Sequence, residues 1–191
     1  MQPVANSSYP LDMAEPWFTA VERFGPANGA WSNYIEWSGL NQVEELVSLD
    51  TLLCPPVLMD VRDDYWPHIV IEHDYLMLFK DLEVLRRALA ASDVKEARLL
   101  CVLRDPIGPP ILAAELNSFR FVGFDLVEAE TGVSALSNCG RWPELDNAEL
   151  SRWGLITDYH RAAQLQKELL RGHPEERKAD CDLWALFAAT E

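Results

Sequence analysis

Apolar and polar positions alternate most clearly over residues 119–128, Phe-Arg-Phe-Val-Gly-Phe-Asp-Leu-Val-Glu, and bulk falls on both sides of that alternation. Phe119, Phe121 and Val127 share one parity; Val122, Phe124 and Leu126 share the other. A strand apolar on both faces is normally covered on both, so the pattern predicts a central strand. Gly123 would admit another backbone or a kink, and Asp125 is a carboxylate set among phenylalanines. Residues 98–104 form a second run apolar on both faces.

Other segments carry the helical period. Trp17, Val21 and Phe24 predict a short amphipathic helix within an arm of residues 1–29, stopped by Gly25 and Pro26. Trp31, Ile35 and Trp37 share a parity, which predicts a strand. Asn41 with Glu44 resembles a capping arrangement for a helix holding Val43, Leu46 and Val47. Residues 68–73 read as a strand, and Asp74 can cap a helix over 75–91 striped by Leu78, Leu82, Leu85 and Leu89. With residues 98–104, these make a parallel strand–helix–strand unit. After the long connection 105–118 and the strand 119–128 come a short helix at 146–152, a helix from Thr157 to Arg171, and a last helix opened by Pro174 with Ala179, Leu183, Leu186 and Phe187 inward. The expected fold is a single α+β domain over residues 30–191. It has a mixed β-sheet of about four strands covered by helices, and a helical C-terminal third.

Composition narrows the function. The chain has 191 residues, 49% of them hydrophobic and 25% charged, enough for a packed core. Its net charge of -15 opposes phosphate backbones and anionic bilayers, so neither nucleic acid nor membrane is an expected partner. The charge balance is uneven: Arg23, Arg62 and Lys80 are the only basic side chains through residue 80, against a dozen carboxylates. No secretory pattern opens the chain, and Cys54, Cys101, Cys139 and Cys181 form no close pair. A cytoplasmic protein with free thiols is expected.

Candidate chemistry is sparse. Cys139, between Asn138 and Gly140 in a polar loop, would act as a nucleophile only with a base, and His73 oriented by Asp125 is the best available combination. The competing reading is a cysteine without chemistry. No metal is expected: His173 and Cys181 are too far apart for a zinc pair, and Asp60, Asp63 and Asp64 lack the spacing of a calcium loop. No glycine-rich phosphate motif is present, so no cofactor is expected. Trp66 beside Asp63 and Asp64, and Trp142 after Arg141, read as indoles near the surface. Indole anchors with steering carboxylates suit a basic protein partner. In size and acidity the chain is similar to bacterial immunity proteins, a likeness of composition that no motif carries. The expectation is an acidic binding or inhibitory protein that captures a basic protein through Asp60, Asp63, Asp64, Trp66 and Trp142. The alternative is a small thiol-dependent enzyme using Cys139, His73 and Asp125.

Overall fold

Aromatic and β-branched residues crowd the segment Trp-Phe-Thr-Ala-Val-Glu, and it forms β1 (Trp17–Glu22), buried at every position but the last. The computed structural model describes residues 15–58, 65–70, 76–92, 94, 96–138 and 142–190. The other strands are β2 (Ile69–Val70), β3 (Leu78–Phe79), β4 (Ala97–Arg104), β5 (Phe119–Glu128) and β6 (Cys181–Ala189). Together they make one six-stranded sheet in the order β2-β3-β1-β4-β6-β5, with every pairing antiparallel. Three α-helices accompany it among the described residues: α1 (Trp31–Ser38), α2 (Leu82–Ala91) and α3 (Tyr159–Gly172). The fold is α+β, as expected.

Several elements differ from the sequence pattern. The helix expected at Trp17–Phe24 is β1, because a sheet buried on both faces accommodates Trp17, Phe18, Thr19, Ala20 and Val21 together. The strand expected over residues 31–37 is α1, which buries Trp31 and Tyr34 and leaves Trp37 56% exposed. The sheet is not mixed. The expected parallel unit does not form: β2, which holds the described part of the strand expected at 68–73, runs opposite to β4, with β3 and β1 between them. Asp81 caps α2, its carboxylate accepting from the Glu83 and Val84 N–H groups, so Leu78 belongs to β3. No helix follows Pro174 beyond a 3-10 turn at Arg177–Ala179; residues 181–189 are β6, held between β4 and β5. The helical C-terminal third is therefore reduced to α3.

β5 lies at the end of the sheet rather than in its middle. Its register against β6 shifts between Phe121 and Gly123, where Val122 forms a bulge. The extra residue inverts the alternation. Phe121, Phe124 and Leu126 consequently share a face with Phe187, Ala185 and Leu183, while Asp125 and Val127 lie with Trp184 and Asp182 on the other. Tyr159 of α3 packs on the first face, its ring 5.8 Å from that of Phe124. Irregular chain lies on the second face, where Ser48, Leu49 and Ser134 bond to Asp125 and Trp153 stacks with Arg98. The outer edge of β5 is shielded as well: Phe124 bridges to Ile156 and Val127 to Ser134.

Gly123 makes this closure possible. A Cβ at this position would stand 2.5 Å from Leu155 Cβ and 3.0 Å from the Ile156 carbonyl oxygen, and its φ of +149° disfavours any side chain. Replacement Gly123→Ala is expected to lower stability by about 1–3 kcal/mol, read from denaturant unfolding. An unchanged midpoint would show that the 155–156 segment is not seated on β5.

Candidate functional site

Asp125 is fully buried, and the second face of the sheet delivers four donors to it. The Ser48 hydroxyl donates to Oδ2 at 2.5 Å and the Leu49 N–H at 3.2 Å. On Oδ1 the Ser134 hydroxyl donates at 2.6 Å and the Leu126 N–H at 2.9 Å. Asp50, also fully buried, accepts from the N–H groups of Leu52, Leu53 and Ser134 and from the Asn138 amide at 3.3 Å. Two serines link the carboxylates: the Ser48 hydroxyl accepts the Asp50 N–H, and Ser134 gives its N–H to Asp50 and its hydroxyl to Asp125. No lysine or arginine among the described residues reaches either acid. Burial first, and then the Asp50 charge, push the Asp125 pKa above the ordinary aspartate value against the pull of these donors.

Around this junction the environment suppresses nucleophiles. The Cys54 thiol is raised well above its ordinary pKa by burial and then by Asp50. Tyr34, raised by burial, donates to the Ser137 carbonyl at 3.0 Å. The Cys101 thiol is pushed up to about 12 by burial alone, and Cys181 is buried. Neither Cys54 nor Cys101 forms thiolate near neutral pH.

A second charged cluster closes the other end of the same face. Glu45 accepts from both guanidiniums, Arg23 at 2.8 Å and Arg98 at 2.8 Å, and Arg98 also lies over the Trp153 ring at 5.6 Å. Burial alone would raise the Glu45 pKa, but the two guanidiniums outweigh it and hold the carboxyl below the usual range.

Beside this cluster lies a groove of about 550 Å³, floored by Pro55, Pro56, Val57 and Val94 and flanked by Glu22 and Glu96. It is built on the sheet. The Glu22 N–H donates to the Pro55 carbonyl at 2.8 Å and the Val57 N–H to the Ala20 carbonyl at 3.2 Å. Neither Glu22 nor Glu96 makes an ion pair among the described residues.

The expected site residues fall as follows. Asp60, Asp63, Asp64, His73 and Cys139 lie outside the described residues. Trp66 opens a short 3-10 turn, Trp66–His68. Trp142 is 9% exposed; its indole N–H donates to the Ala135 carbonyl at 2.8 Å and its ring packs 4.8 Å from His173. It is held inside, not displayed. Asp125 is bonded to serine hydroxyls and backbone N–H groups, with no histidine among its described partners. The groove and the serine-linked carboxylates went unseen in the sequence, though Asp50 two residues after Ser48, and Arg98 beginning an apolar run, were available signals.

No protein-family model, curated protein or solved structure matches this chain. Among the described residues no helix is long and apolar enough to cross a membrane.

The two clusters predict opposite pH limbs. Because the folded pKa of Asp125 lies above its unfolded value, its contribution is present at acid pH and is lost as pH rises through the folded pKa. Glu45 has a depressed folded pKa, so its contribution is present above the unfolded pKa and is lost as pH falls through the folded one. Unfolding free energy measured against pH should lose the decline that sets in as pH rises above the ordinary aspartate pKa in Asp125→Asn, and the decline as pH falls below the ordinary glutamate pKa in Glu45→Gln. Retention of both limbs in both variants would remove these groups as their source. Asp125→Asn also turns an amide toward established donors, at a cost of about 1–3 kcal/mol.

Proposed function

We propose that this chain is an acidic binding protein that captures a basic protein partner. What supports the reading is the disposition of charge in the fold. The described cations are largely engaged internally: Arg23 and Arg98 with Glu45, Arg86 with Glu83, Arg104 with Asp182, Arg152 with Glu44, Arg161 with Glu149, and Arg177 with Glu130. Excess acid is left facing solvent. Glu22, Glu36, Glu96, Glu175 and Glu176 are exposed and make no ion pair among the described residues. A net charge of -15 in this arrangement speeds encounter with a cationic surface and repels anionic ones. The aspartates at 60, 63 and 64 with Trp66 belong to the same reading as steering charges and an anchor.

Immobilised protein should retain basic proteins from a native extract at low ionic strength and release them as salt rises, since screening removes steering and rim pairs first. Recovery of proteins without bias toward high isoelectric point, or with no salt dependence, would overturn the reading. With a captured partner in hand, the triple reversal of Asp60, Asp63 and Asp64 to Lys should slow association by about tenfold or more and flatten its salt dependence. An unchanged on-rate removes that loop.

A further inference from the structure

We propose that the groove between Pro55–Val57 and Glu96 is the seat for an arginine or lysine side chain within an extended segment of the basic partner; this rests on the binding reading above and locates it. Four features of the groove carry it. The floor is two prolines and two valines, and prolines lack an N–H, so the surface suits the aliphatic stem of a long cationic residue. The rim holds Glu22 and Glu96, two exposed carboxylates with no cation of their own among the described residues, whereas the nearby Glu44 and Glu45 are already paired with Arg152 and with Arg23 and Arg98. Charge complementarity therefore points to a cation from outside.

The seat is also preformed and continuous. The bonds from Glu22 to Pro55 and from Val57 to Ala20, with the bridge between Val21 and Pro56, tie the floor to β1, so little ordering cost remains at binding. Glu22 lies opposite Ala97 in the register of β1 and β4, which places it next to Glu96 at the same end of the sheet. Beyond Glu96 a second hollow of about 240 Å³ opens toward Glu44, Gly25 and Pro26, with Arg23, already held by Glu45, on its wall. Two hollows meeting at one carboxylate form a track, which fits an extended segment better than an isolated small cation. A second copy of this chain, carrying the same negative charge, is disfavoured as the occupant.

The test uses the full chain and a capped pentapeptide of sequence alanine–arginine–valine–arginine–alanine, with glutamate replacing arginine in the counterpart. Binding of the arginine peptide at low salt should shift the amide resonances of Glu22, Val57 and Glu96, and the glutamate peptide should shift none. The double variant Glu22→Gln with Glu96→Gln should weaken binding by about tenfold or more, since it removes the groups that make charge-assisted hydrogen bonds. The control Glu175→Gln with Glu176→Gln removes the same charge elsewhere and should cost less than about twofold. Equal losses in the two variants would reduce the effect to general acidity and overturn the seat. Capture of a basic protein that is indifferent to Glu22→Gln with Glu96→Gln would also overturn the seat and leave the broader reading standing. Failure of both peptide binding and salt-sensitive capture would overturn both. Arginine amide binding as tightly as the pentapeptide would replace the peptide track with a small-molecule site.

Discussion

The ladder on either side of β4 holds this protein together. β4 pairs with β1 from Trp17↔Val102 to Glu22↔Ala97, and with β6 from Leu100↔Ala188 to Arg104↔Trp184. Its partners come from distant parts of the chain, so neither half of the sheet is complete until both have arrived. Leu100, Cys101 and Val102 are then fully excluded from water, and the aromatic residues Phe18 and Phe187 lie in line with Cys101 across the three strands. Loop closure over such separations is costly only logarithmically in stability, but it delays the reward, which makes slow, cooperative folding the natural consequence.

Irregular chain covers the second face, and regular hydrogen bonding cannot fasten it there. The fold uses side chains instead. Asp125 and Asp50, with Ser48 and Ser134 between them, act as acceptors for backbone N–H groups that would otherwise be buried without partners. This arrangement retains two carboxylates in a site without a described cation, and its stabilising value comes from the donors it satisfies. At the opposite end, Glu45 meets two guanidiniums and the Trp153 ring assists Arg98. One cover is thus pinned by two different electrostatic solutions.

Acid remains outside both solutions. Several carboxylates take part in neither, and Glu22 and Glu96 face solvent beside a proline- and valine-lined groove held by β1. Among the described residues Cys54 and Cys101 are buried, Asp125 is satisfied by serine hydroxyls and backbone N–H groups, and Glu22 and Glu96 make no ion pair.

By itself, the sequence determined those elements whose local pattern and environment agree. β4 and β5 were legible because a short run with bulk on both parities suits a strand covered on both faces. α3 was legible from Ala162, Leu165 and Leu169 at helical spacing, all fully buried. Gly123 was marked as a site of close approach, and Leu155 and Ile156 supply it. Asp125 was marked as unusual, but its partners Ser48 and Ser134 lie 77 and 9 residues away, beyond any local period. Tertiary structure decided the rest. Residues 181–189 carry leucine, phenylalanine and alanine at spacings a helix would accept, yet the slot between β4 and β5 offers two hydrogen-bonded ladders and burial on both faces. Residues 31–38 alternate like a strand, but Trp31 and Tyr34 reach Phe24 together only from one helical face, with ring separations of 5.5 and 5.2 Å. Local preference is worth tenths of a kcal/mol per residue, about a tenth of what burying a large apolar side chain supplies, so where the two disagree the neighbours choose.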